Sequence, residues 1–376
     1  MSPKKLLLIF FIIAYTCTNA QKHIVPDSLH QLTLAARYHS GFIFAHNVHV
    51  QNTKGLNPNG FEFEYANLKT DSATHAKFKC YPRLGLSFTY IDFDSILLGK
   101  SYSLSYFIEP NYRLGNNLRM GFRASAGLSY LTHPYDEVKN PANQSYSGHV
   151  NSFLQLGLGF SYPVSKHVGI YVMANFFHNS NGGFKLPNAG LNYINGSVGI
   201  QYFQYSSHLP AYIKVKDSSW KHQPTHIDVS VFYSPKGGYK PDSSSQRKFV
   251  LGTSVQIVKQ VGNIDALTAA AEIYYDDGLR SIKDVYVKDN SSATLAGVLV
   301  GHQFLFNRFT FSQQLGVYVF KQTRKYNDEY ENLFHTIYHR WGLNYKINNH
   351  WFAGITLLAH NQIADFIDAR ITYRIK

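Results

Sequence analysis

The chain has 376 residues, 15% of them aromatic, and carries 36 Lys and Arg against 23 Asp and Glu for a formal net charge of +13. After an apolar N-terminal segment, no run approaches the roughly 18 consecutive apolar residues that a membrane helix needs, and the mean hydropathy is slightly negative. Its 28 Tyr and 27 Phe instead suit a transmembrane β-barrel, where lipid-facing apolar residues alternate with polar interior ones between aromatic girdles; an exported soluble all-β protein is the alternative.

In chain order, Lys4 and Lys5, the apolar run Leu6 to Tyr15 and the small-residue site Thr18-Asn19-Ala20 read as a secretory signal peptide over residues 1–20. Cleavage after Ala20 leaves Gln21 first, and Tyr15 and Thr16 ahead of Cys17 argue against lipidation. Losing Lys4 and Lys5 lowers the charge to +11 and leaves Cys80 as the one mature cysteine, a structural residue with no disulfide partner. For an exported barrel the positive excess favours an anionic lipid surface such as phosphorylated lipopolysaccharide, not nucleic acid.

Alternation then recurs. Less regular strands near 31–45 and 60–68 precede Leu84-Leu86-Phe88-Tyr90, Tyr102-Leu104-Tyr106-Ile108, the run Leu118 to Tyr130 and Leu154 to Tyr162, each apolar at every second position. An eighth segment runs from Ile194 to Tyr205. Beyond it, Ile227 to Tyr233, Phe249 to Ile257, Leu267 to Tyr275, Phe309 to Val319 and Leu333 to Ile347 continue in kind, and no helix-period segment of useful length stands out. The total is about 14 to 16 antiparallel strands, expected as one outer-membrane β-barrel or as two tandem eight-stranded barrels. Residues 21–205 form the first portion; residues 206–376 complete a larger barrel or form a second one, and the polar stretch Ser206 to Thr225 is a long loop or a boundary. Turn chemistry punctuates the chain at Asn59-Gly60, Asn140 to Ser147, Asp276-Asp277-Gly278 and Asp289 to Ser292. The last strand, Ala369 to Lys376, alternates but lacks a terminal aromatic.

One stretch interrupts this pattern with polar residues: His178-Asn179-Ser180-Asn181-Gly182-Gly183, followed by Pro187-Asn188-Ala189-Gly190 and Asn192. Val168, Ile170, Val172, Ala174 and Phe176 share one parity, and His178 and Ser180 continue it, so both project from the apolar, lipid-facing side of the barrel wall. Asn192 shares the parity of Ile194, Val198 and Ile200 if its strand begins that early. With periplasmic termini, the seventh strand ends at Ser180 at the outer-leaflet rim, where a membrane lipid arrives by lateral diffusion. Glycines and the Pro-Asn-x-Gly turn supply free backbone N–H groups nearby, where an oxyanion can be held.

The motif His178-x-Ser180-Asn181 with Gly183 and Pro187-Asn188-x-Gly190, spacing included, resembles that of the lipid A deacylases of the PagL type, eight-stranded outer-membrane esterases. The resemblance covers the first portion, up to about Tyr205, and implies Ser180 as nucleophile, His178 as general base, and Asn188 with the Gly183 N–H as oxyanion hole. Asn181, Pro187 and Gly190 support the motif. The residue that orients the histidine is usually acidic in that family, and here it is Asn192, which can hold the imidazole's tautomer without adding negative charge. The expected function is a cofactor-free hydrolysis of an ester-linked acyl chain on lipid A in the outer membrane. The alternatives are a non-catalytic channel or structural barrel with a decayed motif, or an outer-membrane phospholipase.

Other groups read as structural. His360 in Leu358-Ala359-His360-Asn361, followed by Asp365, has the parity of the lumen. His335 and His339 share a face whereas His39 and His46 do not, and neither pair has a compact ligand set beside it; no metal is expected there, nor calcium at Asp276 and Asp277. Arg324 and Lys325, beside Lys321, read as solvated loop charge.

Overall fold

The computed structural model describes residues 30–46, 48–115, 117–182, 185–212, 218–237, 247–281, 293–321, 336–360 and 363–375. The expected signal peptide, the turn at Asp289 to Ser292, and Lys214, Lys216, Arg324, Lys325, His335 and Asn361 lie outside the described residues.

The alternating segments form strands β1 (His30–Ile43), β2 (Asn59–Lys69), β3 (Tyr81–Asp92), β4 (Lys100–Leu114), β5 (Leu118–Leu131), β6 (Val150–Pro163), β7 (Val168–Ser180) and β8 (Leu191–Phe203). Eight more follow: β9 (His226–Gly237), β10 (Arg247–Gln260), β11 (Asp265–Asp276), β12 (Thr294–Phe306), β13 (Phe309–Lys321), β14 (Ile337–Lys346), β15 (Trp351–His360) and β16 (Ile363–Ile375). All neighbours are antiparallel. β8 returns to pair with β1, Val198 opposite Tyr38, and β16 returns to β9, Ile371 opposite Val231. Of the two closures open to such a strand set, the chain takes the tandem pair of eight-stranded barrels and not one wide barrel.

Each barrel is inverted relative to a soluble protein. Leu156 and Leu128 stay 61% and 63% exposed on the outer wall while Glu62 and Arg123 inside are fully or almost fully buried, the distribution that lipid outside and a narrow lumen inside demand. Most of the buried charges pair with one another, while Arg119, also buried in the first barrel, lies over the Phe203 ring. Glu62 forms ion pairs with Arg37 and Arg123, each at 2.8 Å; Arg123 also binds Glu64 at 2.9 Å and Glu109 at 2.6 Å, while Arg83 pairs with Glu64 and Glu109. Three guanidinium groups thus face three carboxylates across the lumen of the first barrel. Apolar layers close that lumen at both ends. Phe93, Leu98, Tyr146, Phe153, Phe177 and Tyr193 pack at one, and Leu68, Tyr81 and Phe203 at the other, with Leu209 and Tyr212 from the stretch after β8 folded beneath them. The stretch that begins at Ser206 is therefore in part a plug, tied by the Tyr212 hydroxyl to Thr70 O at 2.8 Å.

Between β2 and β3 lies a short helix, α1 (Ser72–Phe78), whose Asp71 cap accepts from the Thr74 N–H at 2.7 Å. At seven residues it is too short to register as a helical period. Just past it, burial pushes the Cys80 thiol up to about 12, consistent with an inert structural cysteine. The second barrel holds its own pairs, Arg340 with Glu272 and Asp368, and Lys236 with Asp276 and Asp365. Between them and the chain-terminal end lies a polar cavity of about 40 Å³ lined by residues such as Gln256, Gln303, Gln314 and Thr372. His360 faces this lumen, 2% exposed, and bonds the Tyr318 hydroxyl at 3.0 Å.

The two barrels lie side by side in the same sense. Phe78 beneath the first stacks on Phe306 beneath the second, with centroids 6.4 Å apart. At the opposite end a Cβ built on Gly182 would stand 2.8 Å from the Cδ1 atom of Ile367, an outward residue of β16. That end carries the connections of the first barrel at 44–58, 93–99, 132–149 and 181–190, against turns at 115–117 and 164–167 and the α1-bearing connection 70–80 near the chain-terminal end. Long loops on one side and short turns on the other are the usual division between the exterior and the periplasm.

Arg123→Met removes the one guanidinium that touches all three carboxylates. It is expected to lower unfolding stability by about 3–5 kcal/mol, because three buried carboxylates are then left to share Arg37 and Arg83; the denaturant dependence of hydrogen exchange at the β1–β8 amides in detergent micelles measures the shift.

Candidate active site

The register of the first barrel places the polar stretch. β7 pairs with β8 so that His178 stands directly opposite Asn192, two outward positions on adjacent strands. β8 does begin early enough, at Leu191, for Asn192 to share the outer face. Side chains this close across a ladder reach each other without strain, and His178 Nδ1 lies 2.5 Å from Asn192 Oδ1. The amide oxygen only accepts, so the imidazole carries its hydrogen on Nδ1 and leaves the Nε2 lone pair bare.

Ser180, at the last position of β7, is 5% exposed. It shares the parity of His178, yet among the described residues no hydrogen bond joins the two. Its Oγ instead accepts from Asn188 Nδ2 at 2.9 Å and from the Gly182 N–H at 3.1 Å. The two donors engage the serine oxygen itself, and the hydroxyl's own hydrogen has no acceptor among the described residues. Gly183, expected to supply the backbone donor, lies outside the described residues; among the described residues the backbone donor to Ser180 is Gly182, which sits at φ +68°.

The remaining motif residues build the turn that aims these groups. Asn181 donates its N–H to Asn188 Oδ1 at 3.0 Å, which forces the Asn188 amide to present Nδ2 to the serine. Its own amide reaches Lys185 O at 2.7 Å and Ser147 Oγ at 3.2 Å. Pro187 follows Leu186 through a cis peptide bond. The 132–149 loop braces the turn, with Ala189 N–H on Gln144 O at 3.1 Å and Gly190 N–H on Ser145 O at 2.9 Å. Gly190 has φ +81°, and a Cβ there would lie 3.0 Å from His178 Cε1, so a glycine is required both by the backbone and by the ring against it.

His46, in the connection after β1, also enters the site. Its Nδ1 lies 2.9 Å from Asn192 Nδ2 and its Nε2 3.1 Å from Ala189 O. No periodicity marks it, because it sits in a loop. His39, by contrast, is inside the barrel and bonds Glu62 at 2.9 Å and Asn195 at 3.1 Å. Among the described residues no cluster of three or more His, Cys, Asp or Glu side chains is placed to hold a metal ion. The arrangement offers acid–base and nucleophilic groups to a ligand lying against the outer wall.

A family model described as lipid A 3-O-deacylase (PagL) matches residues 40–201, and one described as acyloxyacyl hydrolase, C-terminal domain (PagL_C), matches residues 225–376. No curated protein matches the chain. Among solved structures, Neisserial surface protein A is similar at 12% identity over 46% of this chain and 96% of that one, with a TM-score of 0.31. A mutant porin of Rh. blastica is similar at 7% identity over 92% of this chain and 100% of its own, with a TM-score of 0.17. The Pseudomonas putida toluene transporter TodX is similar at 9% identity over 93% and 89%, with a TM-score of 0.18.

Gly190→Ala is expected to cost about 1 kcal/mol through its left-handed backbone and to push the His178 ring off Asn192. In proton NMR spectra of the micellar protein, the downfield Nδ1–H resonance of His178 should then weaken or shift while the barrel stays folded.

Proposed function

The chain belongs to the lipid A 3-O-deacylase (PagL) family, and from that premise we propose that it is an outer-membrane serine esterase that removes an ester-linked acyl chain from lipid A. The observation that carries this reading is the cross-strand pair His178–Asn192 on the lipid-facing wall, with Ser180 on the same face in the grip of Asn188 and Gly182. A polar pair held against lipid is costly unless it meets a polar part of its ligand, and the ester region of a lipid headgroup lies at that depth.

In the proposed reaction the Ser180 hydroxyl adds to the ester carbonyl as His178 Nε2 takes its proton. The two groups close on each other once a substrate lies between the strands, since such bonds are often unmade in the free enzyme. Asn192 holds the Nδ1–H and so keeps Nε2 as the base. Negative charge on the former carbonyl oxygen is met by Asn188 Nδ2 and the Gly182 N–H. The intermediate then collapses, the sugar oxygen leaves with the proton returned by His178, and water activated by the same imidazole frees the acyl chain from Ser180. The long loops at the site end support an outer-leaflet location. The charged, capped lumen of the first barrel speaks against a channel there, and a phospholipase would use the same groups on a different headgroup.

Mass spectrometry of lipopolysaccharide incubated with the protein in mixed micelles tests this, with a glycerophospholipid in parallel. The wild type should remove one ester-linked chain from lipid A, and Ser180→Ala should lower the rate by about 10³-fold or more; lipid A left intact, or an unaffected Ser180→Ala, refutes the proposal, and preferential cleavage of the phospholipid reassigns the substrate. Asn192→Asp supplies the missing negative charge beside the imidazolium and should raise kcat by about tenfold or more. A lower or equal kcat in that variant counts against the role given to Asn192.

A further inference from the structure

We infer that His46 is a positioning residue for the reaction proposed above, fixing the side-chain amide of Asn192 with its oxygen toward His178. The inference rests on that esterase reading and on a feature peculiar to an asparagine in this place. A carboxylate offers an acceptor whichever way it is turned, but an amide has two orientations of nearly the same shape, and only one accepts. With Nδ2 turned to His178, the imidazole would shift its hydrogen to Nε2 and cease to be a base toward Ser180.

His46 removes the ambiguity. Its Nε2–H donates to Ala189 O at 3.1 Å, so its Nδ1 is bare and accepts from Asn192 Nδ2 at 2.9 Å. The other tautomer would direct an Nδ1–H toward Phe44 O at 3.4 Å, but it would leave Ala189 O without that donor and set two donors face to face at Asn192. The anchor at Ala189 is itself held, since its N–H bonds Gln144 O, and the Phe44 N–H bonds Asn192 O at 2.9 Å, tying the His46 segment to β8. Hydrogen bonds therefore run in one sense, from His178 to the Asn192 oxygen, from the Asn192 nitrogen to His46, and from His46 to Ala189. Bonds aligned this way polarise one another. They concentrate negative charge on the Asn192 oxygen and make up in part for the absent carboxylate.

The test is a mutant cycle on lipopolysaccharide micelles with a structural readout beside it. His46→Leu should lower kcat by about tenfold to a hundredfold while KM changes by less than about twofold, because only the orientation of the base is lost. His46→Asp, which offers an acceptor oxygen whichever way it is turned, should restore most of that loss. In the Asn192→Asp background, where there is no amide to orient, His46→Leu should cost less than about threefold. An equal cost in both backgrounds, or no rescue by His46→Asp, overturns the inference. Nitrogen-15 spectra of the histidines report the tautomer without turnover: His178 should be protonated at Nδ1 in the wild type and mixed in His46→Leu, and an unchanged tautomer in that variant also overturns it. Intact lipid A with the expected tautomer change defeats the esterase reading alone.

Discussion

Everything in this molecule follows from the requirement that a backbone crossing lipid must satisfy its own hydrogen bonds. Strands meet it only by closing into a ring, which this chain does twice, β8 returning to β1 and β16 to β9. Closure fixes the rest. Eight strands leave a lumen just wide enough for side chains, so the inward positions are filled, and where they are polar they must pair. Arg123 with Glu62, Glu64 and Glu109 is the outcome in the first barrel, and Arg340 with Glu272 and Asp368 in the second. A filled lumen in turn leaves the outer wall as the surface where His178, Asn192 and Ser180 are presented together.

Rigidity of the site has the same origin. His178 and Asn192 do not depend on a loop for their meeting, because the ladder sets them opposite each other. Only Ser180 lies at the edge of that order, and there the turn takes over, with Asn181 orienting Asn188 and the 132–149 loop holding Ala189 and Gly190 in place. A two-residue periodicity thus places His178 against Asn192, while side-chain amides and two glycines of positive φ set the surroundings of Ser180.

Much of this was legible from residue order. Parity alone marks the outer faces of β5, β6 and β7, from Leu118, Leu154 and Val168 onward, and extends to His178 and Ser180, because alternation is a local property of a strand half in lipid. Parity also separates His360, which proves to face the second lumen. Closure was not legible to the same degree: whether β8 pairs with β1 or with a ninth strand is decided by partners some 160 residues apart, such as Tyr38 and Val198. His46 escaped for a related reason, since a histidine in an irregular connection has no period, and its partner Asn192 is 146 residues away. Gly182 donates its N–H to Ser180 as well, a bond set by turn geometry that residue spacing does not carry, while Gly183, which the motif suggests, lies outside the described residues.

The closeness of Gly182 to Ile367 bears on what surrounds this hairpin in the membrane. An isolated barrel would be ringed by fluid lipid and open to collision from most of its circumference around β7 and β8. Here the neighbouring wall of β16 stands against the tip of that hairpin, and the bilayer is displaced along that line. A lipid wandering in the plane of the leaflet meets the hairpin through an arc and not a full circle. Among the described residues the second barrel contributes none to the bonding around Ser180, so its part at the hairpin is that of a wall.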